Sequence, residues 1–295
     1  VTLRRGGIGA IAVACIAAAS PGHAQTIPFA DTEDATLSEI DVADEATDWH
    51  PVLSFDLRNG DYARGALDDD NAGLGRMPVH VALGGAVVLR RGEDGRADLF
   101  VIGQNSNGFH APGRDERGAP RSWYESNTIL GLAWRPVPRL DVAALYAIKA
   151  SPNGVASTTH EASLSLSYTG DDALGRWKPR AAITRRTQGD GGVYTIAGIS
   201  PSLDLSDEED GPTLSVPLMA GMGWQGFYGA GTGNRGYASG GLTLAQPIDL
   251  AGSKATLQAE MLALVRDDRL RLLDAPGGST ATVIPQATLS LTMAW

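Results

Sequence analysis

The sequence predicts an all-β protein: a closed antiparallel transmembrane β-barrel of about twelve strands, with both termini on the same, periplasmic side. Three observations predict it. Apolar and small polar residues alternate with period two through most of the chain after Trp49. The connections between these runs alternate long and short. The chain also ends in an alternating strand that stops on an aromatic residue.

That last strand is the clearest. Leu289, Leu291, Met293 and Trp295 fall on one side of an extended Thr288–Trp295 segment, and Thr288, Ser290, Thr292 and Ala294 on the other. Upstream, period-two runs occupy 50–58, 78–90, 96–104, 125–135, 139–149 and 158–169. They continue through 178–187, 192–204, 212–224, 236–246, 254–266 and 282–295. In the sixth, Ala162, Leu164, Leu166 and Tyr168 oppose Glu161, Ser163, Ser165 and Ser167. In the ninth, Leu214, Val216, Leu218, Ala220, Met222 and Trp224 share a face, and in the eleventh Leu257, Ala259, Met261, Ala263 and Val265 do. Runs of this length suit the roughly 9 to 11 residues a tilted strand needs to cross a bilayer.

The long connections include GDYARGALDDDNAGLGRM, NSNGFHAPGRDERGAPRSWY and DDRLRLLDAPGGSTA, and the short ones RGEDG, PVP, TGDDALGRW, SDEEDG and QPIDLAGS. Long outer loops and short periplasmic turns are a barrel asymmetry. An open sheet in lipid would leave edge N–H and C=O groups unpaired, at several kcal/mol each, so the first strand is expected to pair with the last. The greasy face then looks out, with Trp134, Tyr146, Tyr168, Trp224 and Trp295 near strand ends as interfacial aromatics. The structural rival is a secreted β-sandwich that seals the same apolar faces between two sheets.

Residues 1–24 fit a cleaved signal peptide: Arg4 and Arg5, an apolar run from Ile8 to Ala19, and small residues Gly22 and Ala24 before Gln25. Cys15, the one cysteine, lies inside it, so the remainder carries no thiol chemistry. Residues 25–48 hold eight acidic residues and no Lys or Arg, an acidic flexible lead-in. A short amphipathic helix around Leu37–Val42 is the ordered alternative there. The barrel occupies 49–295. A net charge of −10 excludes a basic nucleic-acid-binding face. No apolar run of 18 residues follows the signal, which excludes helical spans but not strands.

Asp61-Tyr62-Ala63-Arg64-Gly65 with Asp68-Asp69-Asp70, His160-Glu161 leading into SLSLSY, the segment from Tyr194 to Gly221 with its VPLMAG, and the C-terminal strand together resemble the bacterial putative-porin families of small outer-membrane barrels, including the TorF-like group. The resemblance implies the outer membrane of a Gram-negative bacterium, with outer-membrane lipids and the barrel-assembly machinery as partners. It also implies that Leu289, Leu291, Met293 and Trp295 act as the assembly signal. It transfers no catalytic chemistry.

The residues themselves point to no enzyme, cofactor or metal. Neither G-x-S-x-G nor H-E-x-x-H occurs. His110 beside Ser106 reads as a hydrated loop histidine, His80 as a lumen residue, His160 as a strand start, and His50 has no marked role. Asp68, Asp69, Asp70 and Asn71, and Asp204, Asp207, Glu208, Glu209 and Asp210, could offer oxygens to Ca²⁺ but keep no known loop spacing and read as solvated turns. Strand parity points Asp56, Arg58, Glu125, Asp141, Glu161, Arg180, Arg186, Glu260 and Arg266 into the lumen. Such charges either interlock and plug a barrel or line a narrow water path. Small lumen residues, among them Ser163, Ser165, Ser167, Ser239 and Thr243, favour passive diffusion of small polar solutes. The alternative is a non-channel barrel that scaffolds periplasmic partners.

Overall fold

The computed structural model describes residues 26–28, 39–41, 48–69, 77–92, 97–111, 120–154, 156–170, 172–188, 191–208, 210–250, 253–274 and 279–295. Twelve strands form the wall: β1 (Trp49–Arg58), β2 (Val79–Arg90), β3 (Asp98–Phe109), β4 (Trp123–Val137), β5 (Leu140–Ala150) and β6 (Thr159–Tyr168). They continue with β7 (Arg180–Gln188), β8 (Val193–Ile199, resuming at Ser202–Asp204) and β9 (Thr213–Ser215, resuming at Leu218–Gly223). The last are β10 (Arg235–Leu250), β11 (Ser253–Arg266) and β12 (Val283–Ala294). Each pairs antiparallel with its sequence neighbour.

The sheet closes on itself. β12 pairs β1 from Thr288↔Arg58 to Ala294↔Val52. Asn59 lengthens this seam: its N–H donates to Ala287 O at 3.1 Å, and its side chain bonds Pro285 O and Ala287 N at 3.1 and 2.9 Å. At the other end Trp295 N donates to Pro51 O at 3.3 Å. The wall therefore has no unpaired edge at its ends. A sandwich is ruled out, because the alternating apolar faces look outward from one closed sheet. Leu130 is 60% exposed and Met261 71%, and Leu83, Leu164, Ile183, Leu242 and Leu289 are exposed with them. Turned inward between them are small or polar residues such as Ser54, Ala82, Ala133, Ser165 and Thr184, all buried.

The two rims differ. At one, β1 starts and β12 ends, and the connections are the two-residue links 138–139 and 251–252 and the stretches 91–97, 169–179 and 205–212. At the other lie 59–78, 110–122, 151–158, 189–192, 224–234 and 267–282, three of which are longer than any at the first rim. We name these the turn end and the loop end. Exposed aromatics ring both: Trp49, Trp134, Trp177 and Trp295 at the turn end, and Phe109, Tyr146 and Trp224 toward the loop end. Trp177 is carried by a 3₁₀ turn, Gly175–Trp177. Asp172 fixes that turn by accepting from Gly175 N at 2.7 Å and from the Tyr168 hydroxyl at 2.9 Å, and these bonds hold its carboxyl below the ordinary Asp value.

Three departures from the sequence reading have physical causes. β3 runs to Phe109 rather than stopping at 104, because the outward Asn105 and Asn107 satisfy each other and Thr128 (2.6 and 2.9 Å) instead of forming a loop. β10 continues to Leu250, where Pro247 and Ile248 stay in register with Thr256 and Ala255. β8 and β9 break side by side at Pro201 and Pro217, which have no N–H for the ladder. Val216 N to Pro201 O (2.9 Å) and Gly241 N to Pro217 O (3.2 Å) carry the wall across. In the lead-in, where the sequence reading expects a flexible tail with a short helix as the ordered alternative, Glu39–Asp41 pairs as a strand with Thr26–Pro28. Residues 1–24, the expected signal, lie outside the described residues.

If the outer face contacts hydrocarbon, a charge at mid-strand is costly. Leu130→Arg, at the centre of β4, should lower the unfolding free energy by about 2–4 kcal/mol in urea titrations from lipid vesicles. Equal midpoints for the variant and the parent would show that this face is not in lipid.

Candidate functional site

The interior is eccentric. Along β2–β5 it is filled: Ala82, Ala86, Ile102 and Ala133 have no exposed surface. Along β10–β12, inward Gln258, Glu260, Thr288, Ser290 and Thr292 are only half-buried. Thr243 donates to Glu260 at 3.0 Å on that side. Gln104, buried in β3, presents both ends of its amide without a hydrogen-bond partner among the described residues.

Near the turn end, Arg135 pairs with Asp141 at 2.9 Å, lies 3.9 Å from Asp98 and stacks 5.7 Å above Phe100. This bar crosses adjacent strands only. The loop end is different, because a segment of the first connection turns back into the mouth.

That segment is a hairpin, Asp61–Ala63 paired with Ala66–Asp69. Its turn is Arg64-Gly65, with φ of 52° and 77°. Two successive positive φ angles suit a tight hairpin, and the Gly at the second position avoids strain. A Cβ on Gly65 would also meet Tyr237 Cδ1 at 2.7 Å and Leu270 Cδ2 at 2.8 Å, so the tip is pressed against β10 and the loop that follows β11. Leu270 is held there by α1 (Asp268–Arg271), whose cap Asp267 accepts from Arg269 N and Leu270 N at 2.8 and 2.7 Å.

Arg64 anchors the tip. Its guanidinium makes two 2.8 Å bonds to the two oxygens of Glu161 on β6, five strands round the wall from β1. The contact therefore spans the lumen. The guanidinium also stacks 4.9 Å over Tyr194 and 5.2 Å over Phe227, and its backbone carbonyl accepts from the Tyr228 hydroxyl at 2.7 Å. Lys149 at 3.6 Å and Arg186 at 3.3 Å complete the shell around Glu161. Arg266 bonds the Gly65 carbonyl at 3.4 Å, pairs with Asp274, and stacks 5.4 Å over Tyr62. At the hairpin base, Arg58 bridges Asp56 and Asp61 at 2.8 Å each.

The nine residues that parity placed inward thus separate into groups. Asp56, Arg58 and Glu125 lie at the hairpin base, Glu161 and Arg186 under its tip, and Arg266 beside the tip. Asp141 belongs to the turn-end bar, Glu260 to the half-open side, and Arg180 has its Nε 3.2 Å from the Met219 sulfur. On β12, Leu289 and Trp295 are exposed and Leu291 and Met293 half-buried on the outward face.

The sequence reading gave no lumen role to Asp61, Arg64, Tyr124, Arg135, Tyr194, Phe227 or Tyr237. The Arg-Gly turn between Tyr62 and Leu67 was a hairpin signal, and Arg135 shares the parity of Glu125. One expectation is overturned. His110 is not a hydrated loop residue: it is buried, its ring lies 4.8 Å from that of Tyr124, and its Nε2 is 3.3 Å from Arg121 O. The longer β3 carries it onto the rim. His160 faces outward beside Tyr146 (2.9 Å), and His50 is buried. Asp204, Asp207, Glu208 and Asp210 are exposed, while Asp70, Asn71 and Glu209 lie outside the described residues.

No protein-family model and no curated protein matches this sequence. Among solved structures, a bacterial polysaccharide outer-membrane secretin is similar at 10% identity and a TM-score of 0.44, over 85% of this chain and 99% of that one. A FadL homologue of Pseudomonas aeruginosa is similar at 11% identity and 0.38, over 84% and 89%. A protein solved in work on the in-meso crystallization of membrane proteins stands at 9% and 0.43, over 83% of each.

Removing the anion under the hairpin would leave Arg64, Lys149 and Arg186 crowded without their shared partner. Glu161→Gln should cost about 3–5 kcal/mol, the range for breaking one side of a buried pair, read as a lower urea midpoint by tryptophan fluorescence.

Proposed function

We propose that this chain is an outer-membrane protein of a Gram-negative bacterium, exported by a signal at 1–24, whose barrel is a stoppered channel for small polar solutes. The loop end faces outside and the termini face the periplasm. An apolar outer face between two aromatic rings supports the membrane placement. The outward residues of β12 ending in Trp295 are the signal read by the assembly machinery, and outer-membrane lipids cover the rest of the wall.

The observation that carries the channel reading is the Arg64–Glu161 clasp. A barrel needing only mechanical filling would close its lumen with wall side chains, as β2–β5 do. Here the half-open side is lined by hydroxyl, amide and carboxylate groups, and the mouth is closed by a separate element. That element is held by ionic and stacking contacts, which can be released without unpairing any wall strand.

A second reading keeps the hairpin permanently seated and makes the barrel a scaffold for periplasmic partners. It is favoured by the complete burial along β2–β5.

Planar-bilayer recordings separate the two. The parent protein should be closed for most of the time with brief openings. Replacing residues 61–69 by a Gly-Ser linker should raise the mean conductance at least several-fold, and Arg64→Ala should increase the open fraction. Silence in all three, with correctly refolded protein, would leave the scaffold.

A further inference from the structure

The base of the hairpin holds a cluster that the clasp does not use. His80 on β2 is 1% exposed. Its Nε2 meets three oxygens at once: Tyr124 Oη at 2.7 Å, Glu125 Oε2 at 3.1 Å and Asp61 Oδ2 at 3.2 Å. A ring nitrogen carries at most one hydrogen, so it cannot serve three acceptors well. The Tyr124 hydroxyl is already committed, donating to Asp61 Oδ2 at 2.6 Å.

We propose that Asp61, His80 and Glu125 bind one divalent first-row transition cation of the zinc type, with Asp56 orienting the histidine. The three ligand atoms lie within 4.8 Å of one another, and the two nitrogen–oxygen edges of 3.1 and 3.2 Å approach the roughly 3.4 Å edge of a tetrahedron with 2.0–2.1 Å bonds. Each carboxylate is already aimed: Arg58 holds Asp61 by Oδ1 and Asn127 holds Glu125 by Oε1, so that Oδ2, which also accepts from Tyr124, and Oε2 face the centre. Tyr124 Oη marks the fourth corner.

Two independent features point to an ion rather than to a self-sufficient network. His80 Nδ1 and Asp56 Oδ1 are buried with no hydrogen-bond partner among the described residues. Asp56 Oδ2 lies only 3.9 Å from that Nδ1. With Nε2 on a cation, Nδ1 carries the hydrogen and turns to Asp56, giving the carboxylate–histidine–metal relay that outer-shell partners provide. Charge agrees. Asp56, Asp61 and Glu125 contribute three negative charges and Arg58, bonded to two of them, one positive; a dication on neutral His80 balances the remainder. One imidazole and two carboxylates suit Zn²⁺, Mn²⁺ or Fe²⁺ better than a soft cuprous ion. Because Asp61 belongs to the hairpin and the other two ligands to β2 and β4, a bound ion pins the hairpin base to the wall. The site stands whether or not the barrel conducts.

The test uses the untagged full barrel, refolded in detergent and stripped with chelator, titrated with Co²⁺ by visible absorption and then with Zn²⁺ in competition. Saturation at one ion per chain is expected. His80→Gln should lose at least a hundredfold in affinity and Asp56→Asn about tenfold or more. His160→Gln, on the outer face, should change nothing. Folding of each variant is checked by heat-modifiable migration, and Glu125→Gln serves as the ligand variant if His80→Gln does not fold. Absence of saturable binding by the folded parent, or equal affinity in the folded ligand variant, would overturn the site.

Discussion

The whole molecule depends on the hydrogen bonds between β1 and β12. A sheet of twelve antiparallel strands twists and curls, but only the Arg58–Thr288 to Val52–Ala294 pairing turns it into a cylinder. Without that seam, two strands would expose rows of N–H and C=O groups, costing several kcal/mol for each group left in hydrocarbon. Closure also decides what the side chains do. Once the wall is a cylinder, every residue of a strand looks either at the lumen or away from it, and the alternating pattern becomes an inside and an outside.

The inside then faces its own constraint. Charged side chains that point inward cannot reach bulk water easily, so they must find each other. Among the described residues, three of the places where they do so are the Arg135–Asp141 bar, the Arg58 bridge at the hairpin base, and the Glu161 clasp at the tip. The first joins neighbouring strands and stiffens the wall. The other two join the wall to a loop, which places a loop element inside the mouth.

The strands were legible because a period of two is imposed by the pleat, and one face of each strand had to be greasy. Leu257 to Val265 and Leu289 to Trp295 announce themselves this way. The reading failed where chemistry and geometry part company. Asn105 and Asn107 are polar yet sit on the outer face, because they bond to each other and to Thr128. Phe100 and Ile102 are apolar yet face in, because the β2–β5 side of the lumen is packed. Parity says which charges share a face of a strand, but it does not name their partners. Arg64 and Glu161 are 97 positions apart, and nothing in either neighbourhood names the other. His80, Asp61 and Glu125 come together only through the fold-back of a connection that composition marks merely as a loop.

The distances along the chain between the hairpin and its holds have a temporal side. Arg64 reaches Glu161 across 97 positions, Tyr228 across 164, and Gly65 meets Arg266 across 201. Contacts between such remote residues form late, after the intervening chain has found its place. The hairpin emerges among the earliest parts of the barrel; its hold on Glu161 waits for β6, and its holds on Tyr228 and Arg266 wait for the last third of the chain. A half-built cylinder can therefore latch the hairpin only in part, and its full set of contacts requires the wall around it to be complete.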